Sequence, residues 1–304
     1  MQLLHSATRN YSWGSRTLIP HLQGQPDADK PVAELWFGAH PGDPSTVDGR
    51  LLNEVIAEDP AGQLGSRVSA EYGERLPFLL KVLAAEEPLS LQAHPSKAQA
   101  EEGFARENAA GIELTASNRN YKDDNHKPEL IVALTDFYAM AGFRPLARTR
   151  ELFAALECPE LDHYVAMLDD DPSATTESAN LRVLFTTWIT IPAAKRKELI
   201  SAIVAAGERL IAADPADWKS RVMSTVLDLN QRYPGDIGVL GALLLNHIEL
   251  SPGEAVYLDA GQLHAYVSGL GVEIMANSDN VLRGGLTPKF VDVPELVKVL
   301  TYAA

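Results

Sequence analysis

The chain contains a single cysteine, Cys158, among its 304 residues. One cysteine can form no disulfide within the chain and cannot build a metal site from several thiolates. The sequence also lacks an uninterrupted apolar run long enough for a membrane span, and its first residues lack the charged and apolar stretches of a secretory signal peptide. We therefore expect a cytoplasmic protein with no membrane partner.

Positive charge is scarce, because 26 Lys and Arg residues stand against 41 Asp and Glu residues and leave a formal net charge of −15. Nucleic acids are bound through clustered Lys and Arg side chains, so we expect no nucleic-acid partner. A hydrophobic fraction of 46% and a charged fraction of 22% are typical of a folded globular protein. The length allows one large domain or two ordinary ones with a sizeable core.

The first and last parts of the chain, residues 1–149 and 233–304, contain short apolar runs separated by Gly, Pro, Asn and Asp. Such punctuation predicts β-strands, and residues 77–83, 89–93 and 130–134 are the clearest examples. A helix capped by Ser96 is predicted to follow the second of these runs. Two further strands are predicted around residues 254–258 and 272–275.

The middle stretch, residues 150–232, has the spacing of amphipathic helices, as Leu199, Ile203 and Leu210 illustrate. Asp214, followed by Pro215, predicts the start of its last helix. We therefore predict a mainly β protein whose chain is interrupted by an all-helical insertion.

Three short patterns contain side chains suited to chemistry. Gln92 and His94 alternate along one strand, so both project from the same face, about 7 Å apart. Lys127 and Glu129 share a strand face by the same alternation, with His126 facing away. Alone, the first pair fits an ordinary polar strand face and the second a strand-edge ion pair, so a metal site needs further ligands.

The third pattern is residues 253–264 (GEAVYLDAGQLH), which resembles the second sequence motif of the cupin family. In that motif a turn between two strands of a hairpin is followed by a histidine that binds metal, and the histidine here is His264. Asp259 replaces the proline of the motif, and Ser268 replaces its usual asparagine.

Five blocks together resemble the type I mannose-6-phosphate isomerase family. They occur in the family's order and span nearly the whole chain: residues 11–14 (YSWG), 33–41 (AELWFGAHP), 91–95 (LQAHP), 125–129 (NHKPE) and 277–289 (NSDNVLRGGLTPK). The resemblance implies a cupin-type β-sandwich, or jelly roll, formed by residues 1–149 and 233–304, with residues 150–232 as the inserted helical domain. A further C-terminal β domain of the family is not expected, so the chain would be a fragment or a shortened member.

The resemblance also implies an activity, the interconversion of mannose 6-phosphate and fructose 6-phosphate through a cis-enediolate. Its product would supply GDP-mannose synthesis or glycolysis. On the family pattern one Zn²⁺ per chain is held by Gln92, His94, Glu129 and His264. Zinc suits this mixed nitrogen and oxygen set, although iron or manganese could also occupy it. We expect a monomer, with a dimer as the alternative.

The family pattern also proposes roles for polar residues around the metal. Arg283 and Lys127 match active-site positions, where fixed cations would stabilise the enediolate. The catalytic base stays open among His126, Lys127, Asp279 and Glu273. Ser90, Lys81, Lys289 and Arg283 are the candidates for binding the sugar phosphate.

Two other readings of the sequence remain. A cupin with different metal chemistry, such as an iron oxygenase, would not explain Arg283, the lysines or the helical insertion. A module that binds sugar phosphates or nucleotide sugars without turning them over would share the same residues, and only an assay distinguishes it from an isomerase.

Overall fold

The computed structural model describes residues 2–169, 171 and 173–304, which form antiparallel sheets and many helices. The strands are β1 (Leu4–His5), β2 (Ala7–Arg9), β3 (Glu34–Phe37), β4 (Thr46–Val47), β5 (Arg50–Leu51), β6 (Phe78–Ala85), β7 (Leu91–Ala93), β8 (Glu129–Ala133), β9 (Phe137–Phe143), β10 (Leu245–Leu250), β11 (Ala255–Leu258), β12 (His264–Ala276) and β13 (Leu282–Gly285). The helices are α1 (Leu18–Leu22), α2 (Leu52–Glu58), α3 (Pro60–Tyr72), α4 (Lys97–Ala109), α5 (Leu146–Leu156), α6 (Pro159–Val165), α7 (Ala174–Ile189), α8 (Ala193–Ala213), α9 (Trp218–Arg232), α10 (Ile237–Ala242) and α11 (Val293–Val299).

The expected combination of β-sheet and helices is present, and the sheets are antiparallel, but helix outweighs strand. Helices hold 40% of the residues and strands 22%, so the protein is of mixed α/β composition. The excess of helix arises partly in the first part of the chain, where α2 and α3 follow one another. It also arises because the helical stretch extends from α5 to α10, beyond both ends of residues 150–232. No helix among the described residues is both long and apolar enough to cross a membrane.

The strands predicted from the apolar runs are confirmed as β6, β7, β8 and β11, each within two residues of its expected bounds. Helix α4 is confirmed with its cap, because the Ser96 hydroxyl accepts a hydrogen bond from the Gln99 amide and the Gln99 side chain binds the Ser96 amide in return. The predicted cap at Asp214 was wrong. Asp214 ends α8, and the Asp217 carboxylate caps α9 by accepting a hydrogen bond from the Lys219 amide.

One large sheet has the strand order β10-β9-β12-β6-β3-β2, with β7, β8, β11 and β13 paired alongside. Strand β12 changes its partners within its own length. Its first half pairs with β7 and β9, and its second half, from Gly269 onward, pairs with β6 and β8. Gly269 has a φ of 122°, and a Cβ there would lie 2.7 Å from the Asp136 carbonyl oxygen. This bend lets one strand contribute residues to two parts of the site.

The hairpin expected around residues 253–264 forms differently. The turn and the two flanking strands are present, but within the described residues β11 pairs with β8, whereas β12 pairs with β6, β7, β8 and β9. Because β8 contributes Glu129 and β12 contributes His264, the sheet rather than a hairpin brings these residues together.

The largest apolar cluster joins the helical stretch to the sheet. Trp188 of α7 and Met223 of α9 belong to the same buried cluster as Leu91 of β7 and Met140 of β9. Burial of this shared surface stabilises the helices against the sheet. The helical stretch therefore packs on the strands that carry the polar residues described below.

Candidate metal centre and its cavity

Three buried side chains from separate parts of the chain converge on one point: His94 directly after β7, Glu129 at the start of β8 and His264 at the start of β12. The ligand atoms of His94, Glu129 and His264 all lie within 4.8 Å of one another. The His94 Nε2 atom lies 3.4 Å from one Glu129 carboxylate oxygen, and the His264 Nε2 atom lies 3.3 Å from the other. Two imidazoles and a carboxylate in this arrangement form a donor set suited to a divalent transition metal.

Sheet register explains why these residues meet. Gln92 at the centre of β7 lies directly opposite His264 on β12 and opposite Arg283 on β13. Pro128 precedes β8, so Glu129 is the first residue of that strand, where it lies opposite Leu258 and Met275. Gln92 and His94 both approach this point, although β7 ends at Ala93 and His94 follows it, so the expected strand alternation does not extend to His94.

Both imidazoles present the Nε2 atom to the cluster. His94 Nδ1 lies 2.7 Å from the Asn280 carbonyl oxygen, and His264 Nδ1 lies 2.9 Å from the Gln262 carbonyl oxygen. A carbonyl can only accept, so each Nδ1 carries a proton and Nε2 is the nitrogen that each ring offers to a metal. Burial lowers the pKa of His94 to about 4, so the ring is neutral. These are the tautomers that a metal requires.

The donor atoms that point inward lack partners of their own. Within the described residues, neither His94 Nε2 nor Glu129 Oε2 has a hydrogen-bond partner, although both are buried. Buried polar atoms without partners are costly, and a bound cation would satisfy both. The Gln92 amide lies 3.5 Å from His264 Nε2 and can add a fourth donor. The residues therefore fit a bound metal ion.

Lys127 lies beside the cluster, as the strand alternation predicted. Its Nζ atom is 2.9 Å from a Glu129 carboxylate oxygen, and both side chains are buried. Burial would raise the pKa of Glu129, but the positive charge of Lys127 outweighs burial and holds that pKa well below its ordinary value. Glu129 is therefore a carboxylate.

A second buried cluster lies on β3, β6 and β12. The Lys81 Nζ atom is 3.4 Å from Glu34 Oε1 and 3.1 Å from Glu273 Oε2. The Trp36 Nε1 group donates to the other Glu34 oxygen at 2.8 Å, and the Tyr266 hydroxyl donates to Glu273 Oε1 at 2.8 Å. Burial would lower the pKa of Lys81, but the two carboxylates outweigh it and raise that pKa above its ordinary value.

Both clusters border one cavity of about 540 Å³. Nine of the predicted site residues line it: Lys81, Ser90, Gln92, Lys127, Glu129, Glu273, Asp279, Arg283 and Lys289. His94 and His264 reach it through their contacts with Glu129. His126 does not line the cavity and its side chain is exposed, so the structure separates this candidate base from the other three.

The cavity contains cations without counter-ions. Arg283 is half-buried and Lys289 is exposed, and neither forms an ion pair with any carboxylate in the described part of the chain. Burial lowers the pKa of Arg283 below its ordinary value, which reflects the cost of holding this charge away from water. An anionic group of a ligand would balance both charges.

Lys81 lines the same cavity, and its role in binding a phosphate stays a prediction. It is not a surface lysine, because it is buried and its charge is already balanced by Glu34 and Glu273. Its direct neighbour across the sheet is Glu273, so Lys81 is placed to hold that carboxylate.

Sequence reasoning missed Glu34 and His40. Glu34 is a buried acid in an apolar strand, a signal that could have been noticed, but its partner Lys81 is identified only by the pairing of β3 with β6. His40 Nε2 lies 2.9 Å from Asp279 Oδ1, and His40 Nδ1 accepts a hydrogen bond from the Gly42 amide at 3.0 Å. Nothing in the local pattern connects His40 to Asp279, because the two lie at opposite ends of the chain.

Known proteins resemble this chain over almost its entire length. A family profile described as "Phosphomannose isomerase type I, catalytic domain" matches residues 1–146. The mannose-6-phosphate isomerase of Escherichia coli (strain K12) is 41% identical over 312 residues, which cover 100% of this chain and 75% of that protein. The Homo sapiens mannose-6-phosphate isomerase is 37% identical over 98% of this chain and 72% of its own length.

A solved structure agrees with these sequence comparisons. The crystal structure of a mannose 6-phosphate isomerase bound with zinc and yttrium superimposes with a TM-score of 0.86 and 40% sequence identity, over 99% of this chain and 74% of that chain. Similarity at this level over so much of the chain establishes common ancestry as well as a common fold. The chain therefore belongs to the type I phosphomannose isomerase family of enzymes.

Proposed function

We propose that this protein interconverts mannose 6-phosphate and fructose 6-phosphate with the help of one bound Zn²⁺ ion. The observation that carries the proposal is the convergence of His94, Glu129 and His264 beside a cavity that also contains the unpaired cations Arg283 and Lys289. A metal cluster suits a sugar carbonyl, and free cations suit its phosphate. The names of the relatives supply the particular sugar phosphates.

The proposed ligands of the ion are Gln92, His94, Glu129 and His264. When bound, Zn²⁺ would supply Lewis acidity to polarise the sugar carbonyl. The chain itself orients the ligands, because the carbonyl groups of Asn280 and Gln262 fix the two imidazole rings. Asn280 is fully buried, and its side-chain amide donates to the Asp123 and Asn125 carbonyl groups, which ties the loop before Lys127 to the metal cluster.

Isomerisation moves a proton between C1 and C2 of the open-chain sugar, and we propose a cis-enediolate as the intermediate. We propose that Lys127 and Arg283, which line the cavity, stabilise the negative charge that develops on the sugar oxygens. Lys127, Asp279 and Glu273 line the cavity and remain candidates for the base, whereas exposed His126 is set aside. Burial raises the pKa of Glu273 above its ordinary value, and Lys81 and Tyr266 hold its carboxyl group in place.

The phosphate site is proposed at Arg283, Lys289 and Ser90. All three line the cavity, and β13 places Arg283 directly across from Gln92, so a substrate held there would reach the metal ligands. A guanidinium offers paired donors to phosphate oxygens, and an ammonium adds a second charge. Lys81 is assigned instead to positioning Glu273.

We further propose a cupin-type jelly roll for residues 1–149 and 233–304 and a helical domain for residues 150–232. The antiparallel pairings and the run of helices from α5 support this division. The proposed setting is a cytoplasmic monomer that supplies mannose 6-phosphate for GDP-mannose or consumes it for glycolysis. The single cysteine supports a reducing compartment.

A coupled assay with mannose 6-phosphate, run on the purified protein before and after chelation, tests the proposal. We expect turnover and about one zinc per chain, loss of turnover with the chelator, and recovery when Zn²⁺ is restored. Binding of mannose 6-phosphate without turnover by zinc-loaded protein would support the rival sugar-phosphate binding module instead. Turnover that is independent of any metal would contradict the assigned centre.

A further inference from the structure

A second cavity, of about 620 Å³, lies where α9 meets β9 and β10. We name it the arginine cavity, and its polar lining residues include Arg144, Arg148, Trp218, Arg221, Asn246 and His247. Its lining shares no residue with that of the catalytic cavity, and β12 separates the two by directing Val267 to one and Tyr266 to the other. The isomerase chemistry proposed above makes no use of it.

The residues that line this cavity carry a net positive charge, whereas the protein as a whole is negative. The chain has a net charge of −15, yet three arginines line the cavity. The one carboxylate in the lining is Glu249, whose Oε1 atom accepts a hydrogen bond from the Tyr138 hydroxyl at 3.2 Å. A local excess of positive charge in an acidic protein attracts anions to that position.

Arg144 is the main anomaly, because it is only 4% exposed and lacks a counter-ion. Its Nη1 and Nη2 atoms donate to the Leu243 and Leu245 carbonyl oxygens at 3.0 Å and 2.6 Å. These bonds give the side chain a structural role but leave its charge unbalanced, since no carboxylate in residues 2–169, 171 or 173–304 forms an ion pair with it. Burial lowers the pKa of Arg144 to about 10, and the neighbouring charge of Arg148 adds to the effect.

Two guanidinium groups meet at one indole ring. The Arg148 Cζ atom lies 4.0 Å from the centre of the Trp218 ring, and the Arg144 Cζ atom lies 5.6 Å from it. Arg148 has an acidic partner, Glu151, at 3.0 Å, but both members of that pair are about half exposed and therefore contribute little. The guanidinium groups of Arg144 and Arg148 repel one another, and an anion bound between them would offset this repulsion.

We propose that the arginine cavity binds a small organic anion, with its phosphate or carboxylate group between Arg144 and Arg148. The apolar part of the ligand would contact Val222, Ile248 and Val267, which also line the cavity. The volume lies within the range of cavities that enclose small molecules. Guanidinium groups bind both oxyanions through paired hydrogen bonds, so the anion type is left to the experiment.

Titration of the zinc-loaded protein with phenyl phosphate, benzoate and neutral benzyl alcohol tests this inference. The titrations use the Arg283→Ala background, because loss of Arg283 is expected to weaken binding of phosphates in the catalytic cavity. We expect saturable binding of at least one anion, detected by calorimetry and by a change in tryptophan fluorescence, and at least roughly tenfold weaker binding of benzyl alcohol. The anion that binds with the higher affinity identifies the ligand as a phosphate or a carboxylate.

Substitutions test whether the anion binds in the arginine cavity. Arg148→Gln keeps the buried bonds of Arg144 and is expected to weaken anion binding roughly tenfold, whereas Arg209→Gln, on the exposed face of α8, should leave it unchanged. Trp218→Phe should remove the fluorescence change, and thermal melting checks that each variant is folded. Failure of both anions to saturate, equal binding of benzyl alcohol, or unchanged binding to Arg148→Gln would overturn the inference. None of these outcomes depends on whether the protein isomerises mannose 6-phosphate.

Discussion

Each imidazole of the metal cluster has one nitrogen bound to a backbone carbonyl and one directed at Glu129. The Asn280 and Gln262 carbonyl groups thereby orient the rings of His94 and His264 in the absence of a metal ion. A centre prepared in this way loses little entropy when it binds metal. The same rigidity makes each ligand difficult to replace.

Replacement of His264 by alanine should remove both metal and activity. The change deletes one imidazole and leaves Glu129 with a single histidine, so zinc affinity should fall by two orders of magnitude or more. Metal analysis after gel filtration and the isomerase assay measure the two effects, and exposed His163→Ala is the control. Full zinc occupancy in His264→Ala would show that the ligand assignment is wrong.

Replacement of Arg283 by alanine should lower activity without removing the metal. Arg283 lies across from Gln92 but belongs to no ligand set, so zinc should stay bound while turnover falls roughly a hundredfold or more. Steady-state kinetics beside metal analysis separate the two effects. An unchanged kcat/KM would remove Arg283 from the mechanism.

His247 should make the protein less stable in acid. Burial lowers its pKa to about 4 in the folded state, against about 6.5 in an unfolded chain. The unfolded state therefore binds more protons below pH 6.5, and the free energy of unfolding should fall as the pH drops from about 6.5 to 4. Urea unfolding should show that His247→Gln loses less stability over this interval than the parent, by on the order of 3 kcal/mol at pH 4. Curves that stay parallel would contradict this assignment.

Among the secondary-structure elements, β12 connects the two polar clusters. His264 is its first residue, and Glu273 lies beyond the bend at Gly269. The two clusters are therefore correctly placed relative to one another only if this strand keeps its bend.

Substitution at that bend should be costly. Gly269→Ala places a Cβ against the Asp136 carbonyl oxygen and forces a non-glycine residue into positive φ, so we expect a loss of about 3 kcal/mol or more together with reduced activity. Gly253→Ala is the matched control, because Gly253 also has positive φ but has no atom within 4 Å of the added Cβ. Denaturant unfolding compares them, and equal losses would show that the contact at Gly269 has no effect.

Interactions between residues close in the chain could be predicted from the sequence, whereas interactions between distant strands could not. Gln92 with His94, Lys127 with Glu129, and the cap at Ser96 depend on neighbours along the chain, and local periodicity predicted them. The network of Glu34, Lys81 and Glu273 depends on how β3, β6 and β12 align, and strand register cannot be deduced from one strand alone.

Dependence on tertiary packing also explains the wrong helix cap and the unforeseen arginine cavity. Asp214 and Asp217 are both competent caps, and the choice between them depends on where α8 ends against its neighbours. The arginine cavity was not foreseen because Arg144 and Trp218 are far apart in sequence and meet only through tertiary packing.

For the molecule as a whole, metal binding should be part of its stability. The ion would join β7, β8 and β12, so it binds the folded state far better than the unfolded chain. Removal of zinc should lower Tm by roughly 6 °C, as expected for about 4 kcal/mol in a protein of this size. Calorimetry with and without a chelator measures the shift, and His264→Ala should show none. An equal shift in that variant would point to a different metal site.

The position of His264 has a consequence for biosynthesis. Three of the four proposed ligands, Gln92, His94 and Glu129, leave the ribosome well before the fourth, His264. The entire helical stretch lies between them in the chain. A nascent chain therefore displays an incomplete set of donors until β12 has been made and has paired with β7 and β8. With the proposed ligand set, we expect zinc loading to be a late event in maturation, and a translation arrest within the helices should leave a product that retains little zinc.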